Sequence, residues 1–166
     1  MPRLFTYIMT SDSGFAPHVD EQGRYLTLAT CKSKIRKSAK KHDWIAGFGG
    51  KTLYRKCKKE DKDFGPRLIY AAEVSDDPIS FDSYYSALRF KARKDNIYHR
   101  ARKGRWIQDK NRFHDASDIK RDTSADSVLV STKFINFGSN PPKIENGWEN
   151  RLVPKGRNQS LRIGRK

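Results

Sequence analysis

The sequence predicts an α+β fold: a small β-barrel or strongly bent mixed sheet, with short helices at its rim. Three observations predict it. Short runs rich in β-branched and aromatic residues recur along the 166 residues, Gly, Pro and Asp turns separate them, and no long segment shows a 3.6-residue apolar period. A doubly wound α/β fold is excluded because it needs long regular helices.

The elements follow in order. "RLFTYIMT" alternates as a strand. "SDSGFAPHVDEQG" is a loop marked by Gly14, Pro17 and Gly23. "RYLTLATC" is a second strand, placing Tyr25, Thr27 and Ala29 on one face and Leu26, Leu28 and Thr30 on the other. "KSKIRKSAKKH" allows one or two helical turns with Ser33 as a cap. Ile35 and Ala39 would lean on the core, with Lys32, Lys34, Arg36, Lys37, Lys40 and Lys41 displayed. "DWIAGFG" is a third strand, and 51–66 reads as a charged loop. "RLIYAAE" is the clearest strand, and "SFDSYYSALRF" is a helix capped by Ser80 or Asp82, with Phe81, Tyr84, Tyr85 and Leu88 at helical spacing. Residues 91–126 read as a charged insertion of irregular structure and short helices. "SVLVSTKFINFGS" is a strand or bent strand pair, "NPPKIENGWE" a loop, and 151–166 a frayed or partner-ordered basic tail lacking any acid. The expected organisation is one domain over 1–150 followed by that tail.

Charge narrows the function. Thirty-five Lys and Arg face 19 Asp and Glu, a formal net charge of +16. A surface so repulsive to itself suits a polyanionic partner, nucleic acid before an anionic membrane. No apolar run reaches the ~20 residues of a membrane span. No secretory signal is evident, so Cys31 and Cys57 are expected as free thiols of an intracellular, cytoplasmic protein.

Most catalytic motifs fail on spacing. In "DWIAGFGGKT", Gly50, Lys51 and Thr52 mimic the end of a phosphate loop, but Ile45 and Ala46 stand where its first glycine is needed. His18, His42, His99 and His114 are scattered, the cysteines lack C-x-x-C spacing, and "FHDASD" gathers His114, Asp115 and Asp118 only as a polar loop. No metal or cofactor is expected. A metal-dependent nuclease would need Lys where Ser75 stands after Glu73 and Val74. Cys31 lies at a strand end among Lys32, Lys34 and Arg36, surroundings that can activate a thiol, although a small buried hydrophobe is the commoner role. What remains is basic residues interleaved with aromatics. From Lys32 to Lys58 only Asp43 interrupts the cations, with Trp44, Phe48 and Tyr54 interspersed, and Arg89 to Arg112 repeats that texture around Tyr98 and Trp106.

The blocks "LFTYIMTSDSGFAPH", "YLTLATCKSKIRKSAKKHDWIAGFGG", "RLIYAAEVSDDPISFDSYY" and "VLVSTKFINFGSNPP" together resemble the nucleotide-modification-associated domain family, second type. "DWIAGFGG" with "RLIYAAEV" is also similar to the EVE and ASCH members of the PUA-like barrels. The resemblance implies a PUA-like β-barrel and a role around hypermodified DNA bases in bacteria or phage. Its matching positions are Ser11, Asp12, Gly14, Phe15 and Pro17 in the first loop, then Cys31, Lys32, Arg36, Asp43, Trp44, Gly47 and Gly49, and late Ser131, Phe134, Phe137 and Gly138. The sequence departs where His42 replaces the Gly such barrels carry before the Asp.

The resulting expectation is a domain that recognises a modified base or nucleotide in nucleic acid, with no membrane partner. Its contacts would come from Ser11, Asp12, Phe15, Lys32, Lys34, Arg36, Gly47, Phe48, Gly49, Lys51, Tyr54, Phe134 and Phe137. Two alternatives stand beside it. One is an enzyme acting on a base or nucleotide through Asp12, His18, Cys31 or Asp43; the other is a sensor of free nucleotides.

Overall fold

The computed structural model describes residues 1–56, 66–138, 140–145, 147–155 and 160–163. Among them the chain runs β1 (Leu4–Met9), β2 (His18–Val19), β3 (Leu26–Leu28), α1 (Ser33–Ser38), β4 (Trp44–Gly49), α2 (Lys51–Lys56), β5 (Arg67–Glu73), α3 (Phe81–Ser86), β6 (Tyr98–Arg100), β7 (Trp106–Gln108), α4 (Ile119–Asp122), β8 (Leu129–Ser131), β9 (Lys133–Asn136), α5 (Glu149–Leu152) and β10 (Ser160–Ile163). Single 3-10 turns follow α3 and precede β7 and α4. The fold class is α+β as expected. Two compact units form: Met1–Ser13, His42–Glu73 and Lys133–Lys166 make the first, Gly14–Lys41 and Val74–Thr132 the second.

The first unit is one mixed sheet in the order β10-β1-β4-β5-β9. β1 runs parallel to β4 and the other pairs are antiparallel. A parallel pair needs a long crossover, and here the chain spends it on the first half of the second unit. β9 and β10 are edges, so the described strands form no closed barrel. This corrects the PUA-like barrel expectation, because β2, β3 and β8 pair with one another and not with the five-stranded sheet. The basic tail is also more ordered than expected, since β10 adds antiparallel to β1. Buried Phe5, Tyr7, Ile45, Phe48, Ile69 and Tyr70 form the core of this sheet, and the Tyr7 and Tyr70 hydroxyls meet at 2.8 Å. Gly47 serves that packing. A Cβ there would stand 2.5 Å from Met9 Sδ and from Tyr70 Cε1, so only glycine lets Tyr70 cross β4 beside the bulge at Gly47 and Phe48.

The second unit combines the antiparallel sheet β2-β3-β8 with the hairpin β6-β7. Its core is aromatic: Phe15, Phe81, Tyr84, Phe90 and Tyr98 pack with Ile97, Val128 and Val130. Each such ring contributes roughly 1.5–3 kcal/mol by leaving water. The stretch 91–126 is therefore part of this fold, supplying Ile97, Tyr98 and the hairpin. α3 starts on Ser80, whose hydroxyl accepts from the Ser83 N–H, as its sequence indicates. α1 differs from expectation at its start, where Lys32, in a left-handed conformation, holds the cap position with no side-chain bond. "SVLVSTKFINFGS" does split in two, with β8 in the second unit and β9 in the first. No helix among the described residues is long and apolar enough to cross a membrane.

Candidate active site

The turn between β3 and α1 is the most strained backbone in the second unit. Cys31 has φ 56° and Lys32 φ 40°, a left-handed conformation that costs an L residue roughly 1–2 kcal/mol. Bonds on both sides of Cys31 hold it there. Its N–H donates to Asp122 Oδ1 at 3.0 Å, and its carbonyl accepts from Arg36 Nε at 2.8 Å. Arg36 was expected on display along α1, yet it is fully buried. Its guanidinium also donates to the carbonyls of Ala125, Ser127 and Asp122 and lies 5.3 Å over the Phe81 ring. Burial drags its pKa down to about 10 against the pull of Asp122. Arg36 is thus a clamp that fixes the Cys31 turn against the chain around α4.

His114 completes the geometry. Its Nε2 stands 3.5 Å from Cys31 Sγ, and its Nδ1 lies 2.8 Å from Asp122 Oδ2. Asp122, fully buried, also accepts from the Tyr98 hydroxyl at 3.1 Å, and Tyr98 accepts from Gln108 Nε2 at 3.0 Å. Two backbone N–H groups, of Phe113 and His114, donate to Asn111 Oδ1 and set the His114 turn. The Phe15 ring meets the imidazole edge-on at 4.9 Å and stacks on Phe113 at 4.4 Å, limiting how the ring can rotate. Burial opposes charge on His114, but Asp122 and Cys31 overcome it and raise the pKa to about 10. Burial likewise opposes the Asp122 carboxylate, and His114 prevails in holding it below the usual range. The result is an imidazolium between a buried carboxylate and a thiol on a strained turn. A nucleophile, a proton-transferring imidazole within reach and a third group orienting that ring are the three parts of covalent catalysis.

The other expected residues divide between the units. In the second, Phe15 belongs to the His114 wall, Lys32 is half-buried with its pKa lowered by burial, and Lys34 is exposed. His18 is buried, with Nδ1 2.9 Å from the Gly14 carbonyl, and burial lowers its pKa. It borders a separate closed network in which Thr27 and Tyr84 donate to the buried Asp95 carboxylate beside Arg93. In the first unit, Ser11, Asp12 and Lys51 are exposed, whereas Gly47, Phe48 and Gly49 are buried in β4. Asp43 is taken up by Arg3, whose Nε and Nη2 both donate to it. Phe134 lies in β9 with Phe137 just beyond, both half-buried. The side chain of Tyr54, like Cys57, lies outside the described residues. Of the four catalytic candidates, Cys31 stands beside an imidazole that a buried carboxylate also meets.

Asp122 and Tyr98 were missed as site residues, and His114 was seen only as a loop cluster. The available signal was spacing: His114, Asp118 and Asp122 recur every fourth residue, and the 3-10 turn and α4 bring them together, with Asp118 at 3.9 Å from His114 Nδ1. Among the described residues no three His, Cys, Asp or Glu side chains are placed to hold a metal ion.

Comparison with known families finds one whose profile, described as nucleotide modification associated domain 2, matches residues 1–165. No curated protein and no solved structure matches the chain.

Proposed function

The chain belongs to the nucleotide modification associated domain 2 family, and from that premise we propose that it is a thiol-dependent enzyme acting on a modified nucleotide. The observation that carries this is the Cys31–His114–Asp122 constellation, with Sγ 3.5 Å from Nε2 and Nδ1 2.8 Å from the carboxylate. The imidazole stands within reach of the sulfur, and the thiolate is the nucleophilic form of a cysteine. A reaction class that needs no more than these groups and water is acyl transfer. Sγ attacks the carbonyl carbon of an acyl group borne on the nucleotide. The C–S bond forms as the bond to the leaving nitrogen or oxygen breaks, and His114 Nε2–H gives that atom its proton. Water, deprotonated by the now neutral His114, then attacks the thioester and releases the acid with the thiol restored. Asp122 holds the ring and stabilises its cationic form throughout.

The test is incubation of the protein with N-acylated and O-acylated nucleosides and nucleotides, followed by mass spectrometry of products. The wild type is expected to release the acid, with Cys31→Ser and His114→Gln each at least about 10³-fold slower. Turnover undiminished in Cys31→Ser would overturn the reading.

The formal charge of +16 favours a second reading, in which the domain recognises a modified base in nucleic acid without reacting with it. Salt-sensitive binding of modified over unmodified DNA, unchanged in Cys31→Ser and accompanied by no turnover, is its expected signature.

A further inference from the structure

The hairpin β6-β7 lends Tyr98 and Gln108 to the candidate active site at its root, and the rest of it carries an uneven distribution of charge. Its strands pair in register, Tyr98 with Gln108, His99 with Ile107 and Arg100 with Trp106. The tip 101–105 is pinned by the Ala101 N–H donating to the Arg105 carbonyl at 2.9 Å and the Gly104 N–H to the Ala101 carbonyl at 3.1 Å. Lys103 and Gly104 both take positive φ there, 71° and 77°, so the chain reverses tightly and throws its side chains outward. Arg102, Lys103 and Arg105 are all exposed, and among the described residues no carboxylate pairs with them. Arg100, at the hairpin's base, is the opposite case: Asp82 and Asp126 neutralise it at 2.7 and 2.6 Å, while its guanidinium stacks 4.1 Å from the Trp106 centroid. The hairpin thus has a neutralised, stacked base and an unneutralised cationic tip. Beside it the rings of Tyr85 and His99 stack at 4.1 Å and 27°. Tyr85 stays 37% exposed, its hydroxyl tied to Asp109 at 3.0 Å, which leaves a fixed aromatic plane on the surface.

We propose that this hairpin is the docking arm for a nucleic-acid strand, with Arg102, Lys103 and Arg105 on successive phosphates and the Tyr85–His99 pair under a base. Three exposed cations gathered on one hydrogen-bonded turn suit phosphates, and a stacked aromatic pair that includes His99 of the same hairpin's first strand suits a base. An anionic bilayer would need no stacked plane. The arm is also joined to the candidate active site, because Tyr98 at its root donates to Asp122 and Gln108 donates to Tyr98. The proposal rests on the nucleotide reading for its ligand class alone and not on the thiol.

The test is fluorescence anisotropy with labelled 20-nucleotide single-stranded and duplex DNA across a salt series, together with flotation on phosphatidylserine vesicles. The wild type is expected to bind DNA with a marked salt dependence. The Arg102→Ala/Lys103→Ala/Arg105→Ala variant is expected to weaken binding at least tenfold at low salt and to lower the slope of log K against log salt by about 2–3. A variant with the same charge change elsewhere, Lys37→Ala/Lys41→Ala/Lys91→Ala, is expected to keep the slope within about one unit. An unchanged slope in the hairpin variant, an equal drop in the control, or vesicle binding without DNA binding would each overturn the proposal. DNA binding without turnover would leave it standing and remove only the enzymatic reading.

Discussion

Each unit buries a carboxylate against a cation at a turn, Asp43 with Arg3 in the first and Asp122 with His114 in the second, and these two pairs have opposite consequences. In the first, Asp43 receives the Arg3 N–H at 2.8 Å and a forked guanidinium. The Arg3 guanidinium also lies 5.2 Å over the Phe5 ring, the Arg3 carbonyl accepts from the Trp44 N–H at 2.7 Å, and the pair closes β1 onto the entry to β4. In the second, Asp122 binds the imidazole through Nδ1 and leaves Nε2 facing a thiol. A buried ion pair alone therefore says little about chemistry. What distinguishes the second is a cation with two faces and a partner held on strained backbone.

Substitutions sharpen that contrast. Asp122→Ala removes the carboxylate paired with His114 and leaves the Cys31 N–H without its acceptor in a buried place, and a loss of about 3–5 kcal/mol in chemical denaturation is expected together with loss of turnover. Asp43→Ala is expected to cost less, about 2–3 kcal/mol, because Arg3 can reach water, and to leave turnover per folded molecule unchanged. A loss of turnover in the second case would erase the distinction between the units. Gly47→Ala is expected to cost about 1–3 kcal/mol by driving a methyl into Met9 and the locked Tyr70 ring, again without effect on chemistry.

The pH dependence separates the pairs differently. The folded pKa of His114 is raised to about 10, above an unfolded value near 6.5. Its stabilisation is therefore complete below about pH 6.5 and is lost as pH rises toward and through about 10. Denaturation midpoints of wild type and His114→Gln are expected to converge over that interval; a constant difference would contradict the charged ring. The smallest effect is at His42, which sits at φ 70° where the resemblance calls for glycine. His42→Gly removes that cost and the exposed contact to Glu73 at 3.0 Å, so a gain of about 0.5 kcal/mol is expected in the same assay.

The first unit was largely legible in the sequence, because "RLFTYIM", "DWIAGFG" and "RLIYAAE" carry strand chemistry that the sheet uses directly. Its closure was not, since whether a bent sheet becomes a barrel depends on pairings that strand propensity does not encode. β10 shows the same limit: a basic tail gains order from the edge of β1, which no local pattern announces. In the second unit Cys31 was visible as a candidate, but its partners lie 83 and 91 residues away in sequence. Arg36 misled for a physical reason. Helical spacing places it beside Ile35, and only the carbonyls gathered by the Cys31 and α4 turns make burying a guanidinium tolerable.

The central claim, that His114 activates Cys31, is tested most directly by the rate at which Cys31 is alkylated. In a Cys57→Ser background at neutral pH, with the modified residue assigned by mass spectrometry, iodoacetamide is expected to label Cys31 at least tenfold more slowly in His114→Gln than in wild type. Asp43→Asn should leave that rate unchanged. Equal labelling of wild type and His114→Gln would show that the imidazole does not act on the thiol and would contradict the account.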